Sequence, residues 1–159
     1  MNEALLSSEK HDWETPGWLV REIKEKIGPI ALDPATGPAN PVGAQDFFTV
    51  QDNALSILWA PYGLIYCNPP YGRAVSTWTQ KFVDEAERGC SILALLPART
   101  DTKWWQDHVS TASGICFLRG RLTFRGAPHA APFPSALVYW GEPHLRRFYR
   151  ACSTLGWCV

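Results

Sequence analysis

The chain has 159 residues, 46% hydrophobic and 19% charged, which suits one domain with a real core and offers no apolar run long enough to span a membrane. Fifteen Lys and Arg balance fifteen Asp and Glu, but unevenly: residues 1 to 87 carry six basic against twelve acidic side chains, and residues 88 to 159 carry nine against three. The balance excludes a uniformly polybasic or polyacidic chain, while the second half, with Arg119, Arg121, Arg125, Arg146, Arg147 and Arg150, suits a phosphate backbone as well as it suits a set of solvated arginines.

Residues 1 to 11 are polar and read as a flexible tail ahead of one domain over 12 to 159. They have neither the basic start nor the apolar centre of a secretory signal, so a cytoplasmic protein is expected. In DWETPGWLVREIKEKIG, Thr15 can cap a helix and Pro16 suits its first position. Trp18, Leu19, Ile23 and Ile27 then recur at helical spacing up to Gly28. IALDP (30 to 34) reads as a short buried strand stopped by Asp-Pro, and TGPANPVGAQ as loop. FFTV is a possible strand and NALSILW a possible helical turn.

GLIYC (63 to 67) is a second buried-type strand, running into NPPYG. From Arg73 to Arg88, Val75, Trp78, Phe82 and Ala86 share one helical face, with Gly89 as the stop. SILALLP (91 to 97) is a continuous apolar strand. DTKWWQDHVS reads as helix, with Asp101 as its cap and the tryptophans packed, and GICFLRG (114 to 120) as strand. RLTF and SALVYW suggest a late antiparallel pair, PHLRRFYRAC a helix, and LGWCV an edge strand. The five cysteines form no C-x-x-C pair and read as reduced and partly buried. No ligand spacing joins them to His108, His129 or His144, so no metal is expected.

In an open parallel sheet, ligands gather beyond the carboxyl ends of strands. Asp33, in LDPATG, and Asn68, in YCNPPYG, both stand at such ends. Asp33 alone reads as a turn carboxylate beside Pro34. NPPY is more specific, with a chance occurrence of roughly one in a thousand at average proline usage. Consecutive prolines stiffen the backbone and remove two donors, leaving the Asn68 amide oxygen and outward carbonyls as acceptors. Such a rigid acceptor cluster suits an aromatic amine: two hydrogen bonds accepted from its N–H groups keep the nitrogen lone pair available, and Tyr71 offers a face for the ring.

With these motifs in order (W-x-T-P, LDPATGPAN, DNAL, YCNPPYG, LLPARTDTKWW, RGRLTF and PFPSALVYW), the chain resembles the small phage-type DNA N-6-adenine methyltransferases from Trp13 onward. The resemblance implies an α/β, Rossmann-like fold with an abbreviated, mostly parallel sheet, S-adenosylmethionine as methyl donor, DNA as substrate and host cytoplasm as location if the protein is phage-encoded. It implies that Thr15 and Pro16 lie against the methionine end of the cofactor, that Asp33, Pro34, Ala35 and Gly37 surround its amino and carboxylate groups, and that Asp52 meets its adenine. Asn68, Pro69, Pro70 and Tyr71 would carry catalysis, with Asn68 also at the cofactor. Arg99, Arg121, Phe124 and Arg125 are the candidates for contact with the target, Phe124 stacking opposite Tyr71.

Several of these residues have plainer readings. Without the resemblance, Asp52 reads as a turn residue or helix cap, Phe124 as core and Thr15-Pro16 as a helix start. Asn68 follows Asp33 by only thirty-five positions, tight for two further strands, and Asp46 is a weak candidate for the cofactor ribose. Without room for a large recognition domain, bases would be read by short loops such as 119 to 134 or by a second subunit, so a homo-oligomer is compatible. Two other functions share these residues: methylation of another planar amine, in RNA adenine or protein glutamine, and a catalytically silent nucleic-acid-binding module.

Overall fold

The computed structural model describes residues 13 to 59 and 63 to 159; the tail expected over residues 1 to 11 lies outside them. One seven-stranded sheet organises the described residues. Its strands are β1 (Ile30–Asp33), β2 (Asp46–Phe47), β3 (Leu64–Cys67), β4 (Ser91–Pro97), β5 (Gly114–Leu118), β6 (Ser135–Trp140) and β7 (Gly156–Cys158), in the order β2-β1-β3-β4-β6-β5-β7. β2, β1, β3 and β4 are mutually parallel, and β6 enters antiparallel between β4 and β5. The α/β class and the abbreviated parallel part are as expected from the sequence.

Each central strand is buried along its whole length, as strands covered on both faces must be. Alternate residues point to opposite faces. Leu93, Leu95, Leu137 and Tyr139 pack on one face against α1 (Gly17–Lys26) and α4 (Leu145–Cys152). Ile92, Ala94, Val138 and Trp140 pack on the other against α2 (Val75–Glu87) and α3 (Lys103–His108). α2 ends at Glu87 with Arg88 as its C-cap, and Gly89 takes φ +98°, a left-handed conformation that favours glycine.

Five local expectations are corrected. RLTF forms no strand; β6 instead pairs with β4 and β5, and residues 121 to 125 meet other segments through an isolated bridge, Glu14 to Arg125, and a hydrogen bond from the Ala131 amide to the Leu122 carbonyl. In FFTV the ladder reaches only Phe47. α1 begins at Gly17, with Pro16 rather than Thr15 at its N-cap position and no side-chain cap, because the Thr15 hydroxyl is engaged elsewhere. Trp18 is 44% exposed, leaving Leu19, Val20 and Ile23 as the buried face. α3 is capped by Thr102, whose hydroxyl accepts from the Trp105 amide, while Asp101 is exposed beside it. LGWCV does form an edge strand, as β7.

Candidate active site

β1 is flanked by β2 on one side and β3 on the other, so the chain changes direction across the sheet at the β1/β3 boundary. That is where an open parallel sheet forms a crevice at its carboxyl edge. A cleft of about 520 Å³ opens there, lined by Trp13, Thr15, the turn from Asp33 to Gly37, the segment around Asn53, and Asn68 to Tyr71. This volume lies in the range of small-molecule and cofactor sites. The two motifs singled out by sequence, LDPATG and NPPY, therefore share one cavity.

Asp33 is only 3% exposed. Its carboxylate accepts from the Ala35 amide at 3.1 Å. Desolvation outweighs that bond and the Thr36 side chain, pushing the carboxyl up to about 7. A buried carboxyl poised near neutrality, with a cavity in front of it, is stabilised in its charged form by any cation or donor that enters.

Asn68 follows β3 and is held from the opposite wall. Its Nδ2 donates to the Trp13 carbonyl at 2.5 Å and to Thr15 Oγ1 at 3.3 Å. A carbonyl can only accept, so the Trp13 contact fixes which end of the amide faces it. Oδ1 is consequently turned the other way, buried and without a hydrogen-bond partner among the described residues. Buried acceptors are ordinarily satisfied, which marks Oδ1 as a position prepared for a donor. The Trp13 indole Nε1 is likewise buried without a partner among the described residues, and Trp13 lines the same cleft.

Thr15 is the hinge of this arrangement, because its Oγ1 also lies 2.6 Å from the Tyr66 hydroxyl. Tyr66 is fully buried in β3 two residues before Asn68, and burial pushes its phenol well up, keeping it a neutral hydrogen-bonding group. Tyr66 opens the YCNPPYG motif but drew no role from it, since a tyrosine in an apolar strand reads as core. Thr49, Val50 and Asn53 also line the cleft; Thr49 and Val50 stand in no quoted motif, and within DNAL attention falls on Asp52 instead of Asn53. Asn53 carries one trace, a positive φ of 51° that asparagine tolerates better than most residues.

Tyr71 is 4% exposed and donates its hydroxyl to the Leu95 carbonyl at 3.2 Å. Its ring meets Phe124 and Phe133 edge-on at 6.4 and 5.6 Å. Phe124 is 1% exposed, packs edge-on against Trp13 and is absent from the cleft wall. It stands as core beneath Tyr71, not opposite it. Pro34, Ala35, Gly37, Pro69 and Pro70 line the cleft, whereas Pro16 and Asp52 do not. The Asp52 carboxylate instead accepts from the Thr49 amide at 2.7 Å and hydroxyl at 3.1 Å, closing a capping box. Asp46 lies exposed on β2 and also outside the cleft.

Among the arginines, Arg99 is exposed, with its guanidinium carbon 5.8 Å from the Phe133 ring centroid. Arg125 is exposed and pairs with Glu14 at 3.5 Å, and Arg121 is exposed four residues earlier. Because Phe133 contacts Tyr71 and Glu14 lines the cleft, Arg99 and Arg125 border the aromatic wall without entering it. Among the described residues, no helix is long and apolar enough to cross a membrane.

The family described as DNA N-6-adenine-methyltransferase (Dam) matches residues 2 to 135. A DNA N-6-adenine-methyltransferase of Escherichia phage T1 is 28% identical over 111 residues, 70% of this chain and 46% of the phage protein, so the match spans less than half of that relative. Both motifs and the whole cleft wall fall within the matched residues. The chain belongs to the Dam family of DNA N-6-adenine-methyltransferases.

Proposed function

We propose that this protein transfers a methyl group from S-adenosylmethionine to the exocyclic N6 amine of an adenine in DNA, leaving S-adenosylhomocysteine. The observation that carries the reading is Asn68 Oδ1, a buried acceptor of fixed orientation in the wall of the Asp33 cleft with no hydrogen-bond partner among the described residues. Membership of the Dam family supports it.

The residues present fit the cofactor. The cleft has the required scale, and Asp33 offers a desolvated carboxyl to an ammonium or hydroxyl group. Thr15, Pro34, Ala35 and Gly37 supply the adjoining wall, while Thr49, Val50 and Asn53 supply the side where a cofactor base would lie. That last set takes the position the sequence reading gave to Asp52. When bound, the cofactor supplies a methyl group on positively charged sulfur, already activated for transfer.

Asn68 Oδ1 then accepts one N–H of the target amine, and the carbonyls of the proline pair are available to the other. Both bonds draw the nitrogen away from conjugation with its ring and hold its lone pair in line with the methyl group. Tyr71, fixed by Leu95 and edged by two phenylalanines, gives the ring a rigid wall. The amine acidifies as it gains the methyl group, so its proton leaves to water and no general base is required. A stacked, paired adenine cannot present its amine to this recess, which calls for base flipping. Exposed Arg99, Arg121 and Arg125 border the approach and suit phosphates.

The test offers purified protein a labelled methyl donor with plasmid DNA, RNA and protein in parallel. Labelled 6-methyladenine in digested DNA is expected. Label in RNA adenine or protein glutamine instead would overturn the reading, as would calorimetry in which the protein binds DNA but not S-adenosylmethionine.

A further inference from the structure

On the same sheet face as α4, three cysteine side chains from three separate elements converge. Cys116 comes from β5, Cys152 from the last turn of α4 and Cys158 from β7, and their sulfurs all lie within 4.8 Å of one another. Cys116 and Cys158 are direct partners across the β5–β7 ladder. The neighbouring pair, Ile115 and Val159, exchanges both backbone hydrogen bonds at 2.9 and 3.0 Å. The cysteine pair is therefore of the non-bonded kind, whose side chains stand closer together. Gly156 lets β7 approach this tightly, since a Cβ there would meet the Phe117 carbonyl oxygen at 2.0 Å. α4 then lays Cys152 over the pair, with the Cys116 sulfur 3.8 Å from the Cys152 carbonyl oxygen.

We propose that Cys116, Cys152 and Cys158 form a site for one thiophilic d10 cation, Zn²⁺ or Cu⁺. An ion bonded to three thiolates at about 2.3 Å separates its sulfurs by roughly 4 Å, within the spacing already present. An all-sulfur donor set favours soft ions over Mg²⁺, Ca²⁺ or Mn²⁺. Cys116 and Cys152 are fully buried and Cys158 is half-buried, so the ion enters beside Cys158, and a fourth position on zinc faces solvent there. Each coordinating thiol gives its proton to solvent as the bond forms.

Bound metal joins α4 to β5 and to the short edge strand β7, so its effect is to fasten the far edge of the sheet. The site is separate from the cleft. Cys116 pairs with Leu137, Leu137 with Leu95, and β4 with β3, which puts three strand spacings, roughly 14 Å, between Cys116 and the strand that leads into Asn68. The inference does not depend on methyl transfer.

The test uses reduced, chelator-stripped full chain titrated with Cd²⁺ as a spectroscopic probe. The ultraviolet thiolate-to-cadmium band is expected to saturate at one ion per chain. Zn²⁺ and Cu⁺, added separately against a buffering chelator, should displace the probe, and the tighter competitor identifies the resident ion. Cys152→Ser and Cys158→Ser should each abolish saturable binding, and Cys90→Ser should keep it. Because Cys158 lies at a half-exposed edge, Cys158→Ser also serves where Cys152→Ser fails to fold. In wild type, metal should raise the melting temperature and shield Cys158 from alkylation; Cys158→Ser should show no metal-dependent rise. A wild-type protein without a saturable band, a band that survives in folded Cys158→Ser, or a Cys116–Cys158 disulfide forming in place of ion uptake would overturn the proposal.

Discussion

The hydroxyls of Thr15 and Tyr66 meet at 2.6 Å across fifty-one positions of sequence, and through Thr15 the contact reaches the Asn68 amide. Tyr66 touches neither Asn68 Oδ1 nor the Asp33 carboxylate by hydrogen bond, yet it fixes the group that helps to hold the amide. Its influence on the reaction is one of position. Tyr66→Phe keeps the buried ring and removes one hydrogen bond, commonly about 0.5–1.5 kcal/mol. We expect kcat to fall roughly 2- to 12-fold, the same energy expressed as a rate, with the dissociation constant for S-adenosylmethionine little changed. A parallel loss of cofactor affinity in calorimetry would instead place Tyr66 in support of the cleft wall as a whole.

Asn68→Ala removes the acceptor and leaves the prolines and the Asp33 side of the cleft in place. Turnover should fall by at least about 10²-fold, in line with loss of a preorganised polar group aimed at a reacting centre. Cofactor affinity should stay within a few fold. Equal loss of both would show that the Trp13–Asn68 contact holds the cleft together and that Oδ1 has no special part in catalysis.

Much of this site was legible because its chemistry is written in contiguous motifs. Asp33 and Asn68 each end an apolar run, and parallel pairing on both sides of β1 carries the two runs to one edge. The misses have physical causes. In RLTF and the following Arg125, Leu122 and Phe124 are buried while Arg121, Thr123 and Arg125 are exposed, the same alternation a strand would show. Alternation reports which side chains are covered, and only the single bridge to Glu14 reveals that no ladder accompanies it. Thr15 has the composition of a helix cap, but Tyr66 and Asn68 compete for its hydroxyl from more than fifty residues away. The cysteine cluster follows the same rule: its members come from β5, α4 and β7, so sheet register creates a proximity that local spacing cannot encode.

Asp33 makes the proposed cofactor affinity dependent on pH. In the folded protein its carboxyl is pushed up to about 7 by desolvation, whereas in an unfolded chain it titrates near 3.9. Between about pH 4 and 7 the folded state holds the extra proton, so stability of the free protein falls as pH rises through that window. A cationic group of the cofactor favours the carboxylate and must displace the proton below about pH 7. Affinity should therefore weaken by up to tenfold per unit as pH falls below neutrality, one pKa unit being about 1.4 kcal/mol. Asp33→Asn should bind more weakly near neutrality, lose that slope and lose the acid-side gain in stability. Calorimetry over a pH series measures the first two effects, and denaturant titration of the free protein measures the third. An unchanged slope in the variant would assign the dependence to another group.

Arg121 and Arg99 separate positioning on DNA from chemistry in the cleft. Both are exposed and neither lines the cavity, so a role for them in the proposed reaction lies with the phosphate backbone. An arginine that neutralises one phosphate releases condensed counterions, and its removal should lower the steepness of log affinity against log salt by about 1. Arg121→Ala is therefore expected to weaken DNA binding most at low salt, reduce that slope and leave S-adenosylmethionine binding intact. Arg99→Ala should do the same, with an added loss of order in the aromatic wall, because its guanidinium stacks over Phe133 and Phe133 edges Tyr71. That second effect should appear in turnover at saturating DNA, which Arg121→Ala leaves near wild type. Slopes identical to wild type in both variants would remove these two arginines from the DNA surface and assign phosphate contact to other basic residues of the second half of the chain.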